Sequence, residues 1–131
     1  MKLLLDSNIF LELILEQEKS AEVRVLFEKS AGFDLFVTDY SVHSIGLLLF
    51  RRNRHEMLAE FANDLKAMAV EIVAVPLEEM SQIALVARRY NLDFDDAYQY
   101  VVAEKLQLPI VSFDGDVDRT DLKRKTPSQL I

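Results

Sequence analysis

Five aspartates in this chain stand where a carboxylate is useful to chemistry. Asp6 ends the apolar run Lys2-Leu3-Leu4-Leu5, and Asp114 and Asp116 follow the run Pro109-Ile110-Val111-Ser112-Phe113. Between the two runs, Asp95 and Asp96 open a stretch of helical periodicity. If both runs are buried strands of one open sheet, their ends bring carboxylates to the edge where α/β sheets bind ligands. Carboxylates collected there bind a hard divalent cation, which prefers oxygen ligands. Each aspartate also has an ordinary role. Asp6 suits a turn or helix cap, Asp95 and Asp96 suit the first turn of a helix, and Asp114 and Asp116 flank Gly115 as turn formers do. Their meeting at one sheet edge is what points to a site.

The elements that must position them alternate in type. After the first strand, Ile9, Phe10, Leu13 and Ile14 share a helical face and Glu12 and Glu16 share another, so a helix is expected over residues 8 to 18, with Glu12 on a solvated face. A second helix is expected from Ala21 to Ser30, ended by Gly32. Leu35 to Val37 read as a strand, and Thr38 caps a helix running to Arg51 and Arg52. A partner helix spans His55 to Met68, followed by a strand from Glu71 to Val75. Pro76 leads into a helix through Tyr90. Asp93 caps a helix from Phe94 to Leu106 whose apolar circumference marks it as buried. Pro109 to Ser112 form the last strand. Strands alternating with one or two helices predict a parallel sheet covered on both faces, in a single domain over residues 1–131.

Composition narrows the function. The 131 residues contain no cysteine, which excludes a disulfide scaffold and a thiolate zinc site. No apolar segment approaches the length of a membrane span, so a soluble, cytoplasmic protein without membrane partners is expected. Fifteen basic against 22 acidic residues give a net charge of −7, which opposes nonspecific nucleic-acid binding by the bare chain. It is compatible with an enzyme that holds nucleic acid through metal ions and a local basic patch. The basic clusters are Arg51-Arg52-Asn53-Arg54, Arg88-Arg89, and the segment from Arg119 to Lys125.

The ordered set Leu4-Leu5-Asp6-Ser7-Asn8-Ile9, Asp96-Ala97 and Ile110-Val111-Ser112-Phe113-Asp114-Gly115-Asp116 resembles the PIN-domain nucleases, including VapC-like toxins of bacterial and archaeal toxin–antitoxin pairs. The resemblance extends over essentially the whole chain. It implies a three-layer α/β/α sandwich and a metal-dependent endoribonuclease that hydrolyses single-stranded RNA with Mg²⁺ or Mn²⁺, leaving a 5′-phosphate and a 3′-hydroxyl. Carried onto this sequence, it makes Asp6, Asp96 and Asp114 catalytic metal ligands with Asp116 as a further ligand. Asp95 is an adjacent acidic residue, and Asn8 and Ser112 are small polar groups that hydrogen-bond around the site. It also implies a homodimer and, for a toxin, a protein antitoxin. Arg51, Arg52 and Arg119 are candidates for drawing in RNA phosphates.

One position departs from the family pattern. Where these nucleases place a glutamate in the helix after the second strand, this chain has Thr38-Asp39-Tyr40-Ser41-Val42-His43-Ser44-Ile45. Ser44 aligns with the glutamate, with His43 the alternative. A hydroxyl can orient a metal-bound water but supplies no charge, so weaker metal binding is expected. Asp39 is read as a capping residue, and His43 as a histidine of the core or of an interface. The departure supports an alternative function, a PIN-like module that binds protein or RNA without cleaving it. An aspartyl-phosphate phosphatase is disfavoured because Asn8 stands where a second aspartate is required.

Overall fold

A computed structural model describes residues 1–131. Four strands form one parallel sheet: β1 (Lys2–Leu5), β2 (Asp34–Thr38), β3 (Glu71–Val73) and β4 (Ile110–Val111), ordered β3-β2-β1-β4. Six helices connect them: α1 (Ser7–Ile14), α2 (Ser20–Glu28), α3 (Asp39–Arg51), α4 (His55–Ala67), α5 (Met80–Tyr90) and α6 (Phe94–Leu106).

Because side chains alternate along a strand, the three leucines of β1 divide between two cores. Leu3 and Leu5, with Leu35, Val37 and Val111, pack against the side chains Ile9 and Phe10 of α1, Val23 and Leu26 of α2, Ile45 and Leu49 of α3, and Phe61 and Leu65 of α4. Leu4, Phe36 and Ile110 face the other way, onto Ile83 of α5 and the buried run of α6. The result is the α/β/α sandwich that continuous apolar strands require.

The chain runs outward from β1 through β2 to β3, then returns to place β4 on the other flank of β1. The reversal makes the carboxyl ends of β1 and β4 the switch point of the sheet, where a crevice opens. Asp6 leaves β1 there, and Ser112 to Asp116 leave β4 beside it. Beyond β4 the chain turns back, and Lys125 bridges to Val111 in parallel sense, so a short C-terminal segment lies along the β4 edge.

Several boundaries differ from the sequence reading. Helix α1 stops at Ile14 because Glu16 adopts a left-handed backbone with φ 50°, and the Glu12 carboxylate accepts the Lys19 backbone N–H at 2.8 Å. Helix α2 ends at Glu28, and Gly32 closes a short 3₁₀ turn rather than the helix. Strand β3 stops at Val73; the Val75 N–H leaves the ladder to donate to the Tyr98 hydroxyl at 2.9 Å. A 3₁₀ turn, Leu77–Glu79, intervenes between Pro76 and α5. Asp93 occupies the cap position of α6, but its side chain makes no capping bond. Thr38 does cap α3, accepting the Ser41 N–H at 3.0 Å.

Candidate metal centre

Asp6 sits at the end of β1 under a lattice of short-range hydrogen bonds. Its carboxylate accepts from the Ser7 backbone N–H at 2.7 Å and from the Ser112 hydroxyl at 2.7 Å. The same Ser112 oxygen accepts from Asn8 Nδ2 at 3.0 Å and from the Asp114 N–H at 2.9 Å, while Asn8 Oδ1 accepts the Phe113 N–H at 3.1 Å. Asn8 and Ser112 thereby weld the loop after β1 to the loop after β4. One hydroxyl donating once and accepting twice is fully satisfied, so this corner is geometrically fixed.

The remaining carboxylates converge from α6 and the β4 loop. Asp96, Asp114 and Asp116 each present an oxygen such that all three lie within 4.8 Å of one another. Asp114 is held by accepting the Asp116 N–H at 2.9 Å. A small cleft is lined by Asp6, Ser7, Tyr40, Ser44, Asp95, Asp96 and Gln99. Asp96 is thus common to the three-carboxylate cluster and to the cleft that Asp6 lines. Asp116 is a full member of the cluster, and Asp6 lies outside the 4.8 Å set.

The electrostatics record this crowding. Asp96 is pushed up from its ordinary 3.8 to about 7, first by burial and then by repulsion from Asp95, Asp114, Asp6 and Asp116. Burial also pushes Asp6 up, against the pull of its hydrogen bonds to Ser112 and Ser7, with Asp114 adding repulsion. Of these acids only Asp116 has a basic partner, Arg119, at 3.2 Å. The donor set is all oxygen, from carboxylates, hydroxyls and an amide, and it carries uncompensated negative charge. That chemistry fits a hard divalent cation and fits neither a soft metal nor zinc held by histidine or cysteine.

The other expected residues fall as follows. Ser44 reaches the cleft, whereas His43 is exposed on α3 instead of packed in the core, and Asp95 is exposed beside Asp96. Asp39 turns toward α6, where it accepts from the Tyr98 hydroxyl at 2.7 Å, so it takes no part in the acidic cluster. Arg119 lies at the site but is engaged, pairing with Asp116 and donating to the Asn91 carbonyl at 2.8 Å. Arg51 and Arg52 are exposed at the far end of α3, about 18 Å along its axis from the cleft end. Sequence reasoning missed Gln99. It is buried, and its Oε1 is the one buried side-chain polar atom of the chain without a hydrogen-bond partner. Such an orphan carbonyl costs about 1–3 kcal/mol. The available signal was a glutamine inside an otherwise apolar, fully buried helical run, three residues after Asp96 and hence on the same face. Missed too was an aromatic lip, in which Tyr40, Phe94 and Tyr98 pack with centroids 5.5–5.9 Å apart. Tyr40 and Phe94 remain exposed.

Fold and site together define an α/β/α protein with an acidic crevice at the switch point of a parallel sheet. The chain belongs to the PIN domain family, whose model matches residues 3–123. It is similar to the crystal structure of PAE2754 from Pyrobaculum aerophilum, with a TM-score of 0.66 and 19% identity over 99% of this chain and 95% of that one. It is also similar to a toxin-antitoxin complex from Klebsiella pneumoniae, with a TM-score of 0.71 and 12% identity over 95% of this chain and 97% of that one. At these identities the likeness is one of fold. No curated protein matches the sequence.

Proposed function

We propose that this protein is a Mg²⁺- or Mn²⁺-dependent endoribonuclease acting on single-stranded RNA, and that it serves as the toxin of a toxin–antitoxin pair. The observation that carries the reading is the convergence of Asp96, Asp114 and Asp116 within 4.8 Å beside Asp6 at the switch point. Asp96, Asp114 and Asp116 would hold the cation, with Asp6 closing the set from β1. A divalent cation bound there lowers the pKa of an attacking water and offsets charge on the phosphodiester. Ser112 and Asn8 fix the Asp6 carboxylate so that it meets its ligand without reorganising. Ser44 offers a hydroxyl to orient water in the cleft. The exposed rings of Tyr40 and Phe94 support a single-stranded substrate, because only unpaired bases offer a free face for stacking.

The antitoxin rests on the fold shared with the Klebsiella pneumoniae complex. A homodimer is supported by Leu47 and Phe50, which expose an apolar edge on α3. Sedimentation showing monomer alone at high concentration would count against it.

The deciding experiment is cleavage of a labelled single-stranded oligoribonucleotide with Mn²⁺, with Mg²⁺ and with chelator. Cleavage should need metal and should disappear in Asp6→Asn and Asp114→Asn. Equal cleavage by wild type and Asp6→Asn rejects the assignment. One observation favours a second reading: a neutral Ser44 in the cleft leaves the site short of an anion, as a binding module without catalysis would have it. Tight RNA binding with no metal-dependent cleavage would select that reading.

A further inference from the structure

Helix α6 buries seven consecutive residues, Ala97 to Ala103, and every one but Gln99 is either apolar or a tyrosine. Gln99 is 3% exposed. Its Oε1 is shut away from solvent with no hydrogen-bond partner, although the great majority of buried polar atoms are paired. The side chain lies three residues beyond Asp96, on the same face of α6, and lines the cleft with Asp6, Asp96 and Ser44. Polar company within its reach is therefore that of the cleft. The cleft measures about 20 Å³, room for one water-sized occupant and for nothing larger.

One further feature bears on what that occupant is. The neutral Ser44 leaves the same cleft without the anion that a glutamate there would bring, so a neutral oxygen acceptor is what the lining adds beside its aspartates. An amide carbonyl is a hard, neutral oxygen of the kind that accepts from cation-bound water or ligates directly.

We propose that Gln99 is a positioning residue of the metal centre, its side-chain carbonyl accepting a hydrogen bond from a water in the cleft that belongs to the shell of a divalent cation held by Asp96, Asp114 and Asp116. This rests on the metal-dependent reading above and adds a residue to it. The orphan carbonyl is then the mark of a site poised for a solvated ion: unsatisfied in the metal-free chain, satisfied on binding.

The test uses the full-length protein with Mn²⁺ alone, titrated by calorimetry, and thermal unfolding in chelator. Gln99→Met keeps the volume and removes the carbonyl. It should weaken Mn²⁺ binding about tenfold, as loss of an outer-shell partner does. The metal-free midpoint should hold or rise, because an unpaired polar atom has gone. A residue with a purely structural role would show the reverse split, a lower midpoint with unchanged Mn²⁺ affinity, and that result overturns the proposal. Should Gln99→Met fail to fold, Gln99→Glu decides. It keeps the size and an oxygen and should bind Mn²⁺ more tightly than wild type at pH 8 while melting lower in chelator; weaker binding overturns the proposal. Wild-type protein that binds no Mn²⁺ overturns the metal-centre reading itself, whereas wild-type binding equal to that of Gln99→Met overturns the role of Gln99 alone.

Discussion

Asp96→Asn should flatten the pH dependence of stability in the metal-free protein. The folded-state pKa of Asp96 is about 7 against 3.8 for the free side chain, so the native state binds its proton more readily than the unfolded state does. The associated stability is fully present below pH 3.8 and is lost as pH rises through 7. Converted at 1.36 kcal/mol per pH unit, the gap is about 4 kcal/mol, an upper bound. Asp96 is only partly buried, and solvent screening reduces the figure to about 1–2 kcal/mol. For a chain of this size that corresponds to roughly 4–8 °C in Tm. In chelator, the Tm of Asp96→Asn at pH 8 should therefore exceed that of wild type by about this amount, with the gap closing toward pH 4. Added Mn²⁺ should raise the wild-type Tm at pH 8 and leave the variant nearly unchanged, because the cation replaces the missing positive charge only where the carboxylate remains. Parallel pH profiles for the two proteins would refute the picture of Asp96 as a carboxyl destabilised by crowded neighbours.

Ser44→Glu adds an anion to the cleft shared with Asp6 and Asp96, and should tighten Mn²⁺ binding about tenfold in a calorimetric titration; unchanged affinity would mean that α3 presents residue 44 too far from the cation. Tyr98→Phe strips the hydroxyl that accepts from Val75 N–H and donates to Asp39, and should cost about 2 kcal/mol in urea unfolding, with a loss under about 0.5 kcal/mol speaking against that strut. Phe94→Ala, made in an Asp6→Asn background to block cleavage, should weaken anisotropy-measured binding of single-stranded RNA about fivefold and leave duplex binding unaffected. Equal weakening of both would rule out base stacking at the aromatic lip.

The sequence showed most clearly those features that depend on neighbours along the chain. Leu3-Leu4-Leu5 and Ile110-Val111 are legible as strands because apolar runs that short and that continuous must be buried on both faces. Helix α6 is legible end to end because its apolar residues encircle it. Asp6 and Asp114 could be placed at one edge because Asp6 directly follows one such strand and Asp114 lies three residues past the other. Features set by distant neighbours were not legible. Glu12 secures the start of α2 only because α1 stops early, and Asp39 turns to Tyr98, 59 residues away, instead of acting within α3 alone. The ordering of the acids was equally hidden. Ser112 donates its hydroxyl to Asp6, which lies outside the three-carboxylate cluster, while Arg119 pairs with Asp116 within it. Gln99 escaped notice because periodicity treats a single polar residue in an apolar helix as noise.

The bonds that join Asp6 and Asn8 to Ser112 span 106 and 104 residues of chain. Nothing nearer in sequence can substitute for them, since Asp114 and Asp116 are supplied only after β4. At about 5–20 residues per second, a ribosome needs roughly 5–20 s to travel from the first half of the centre to the second. During that interval the nascent chain holds Asp6 on an edge strand with no partner on one side. Closing so long a loop is an entropically late event. Assembly of the acidic centre is therefore coupled to near-completion of synthesis, and a message truncated before the codon for Ser112 yields a polypeptide that lacks Ser112, Asp114 and Asp116 and cannot build that centre.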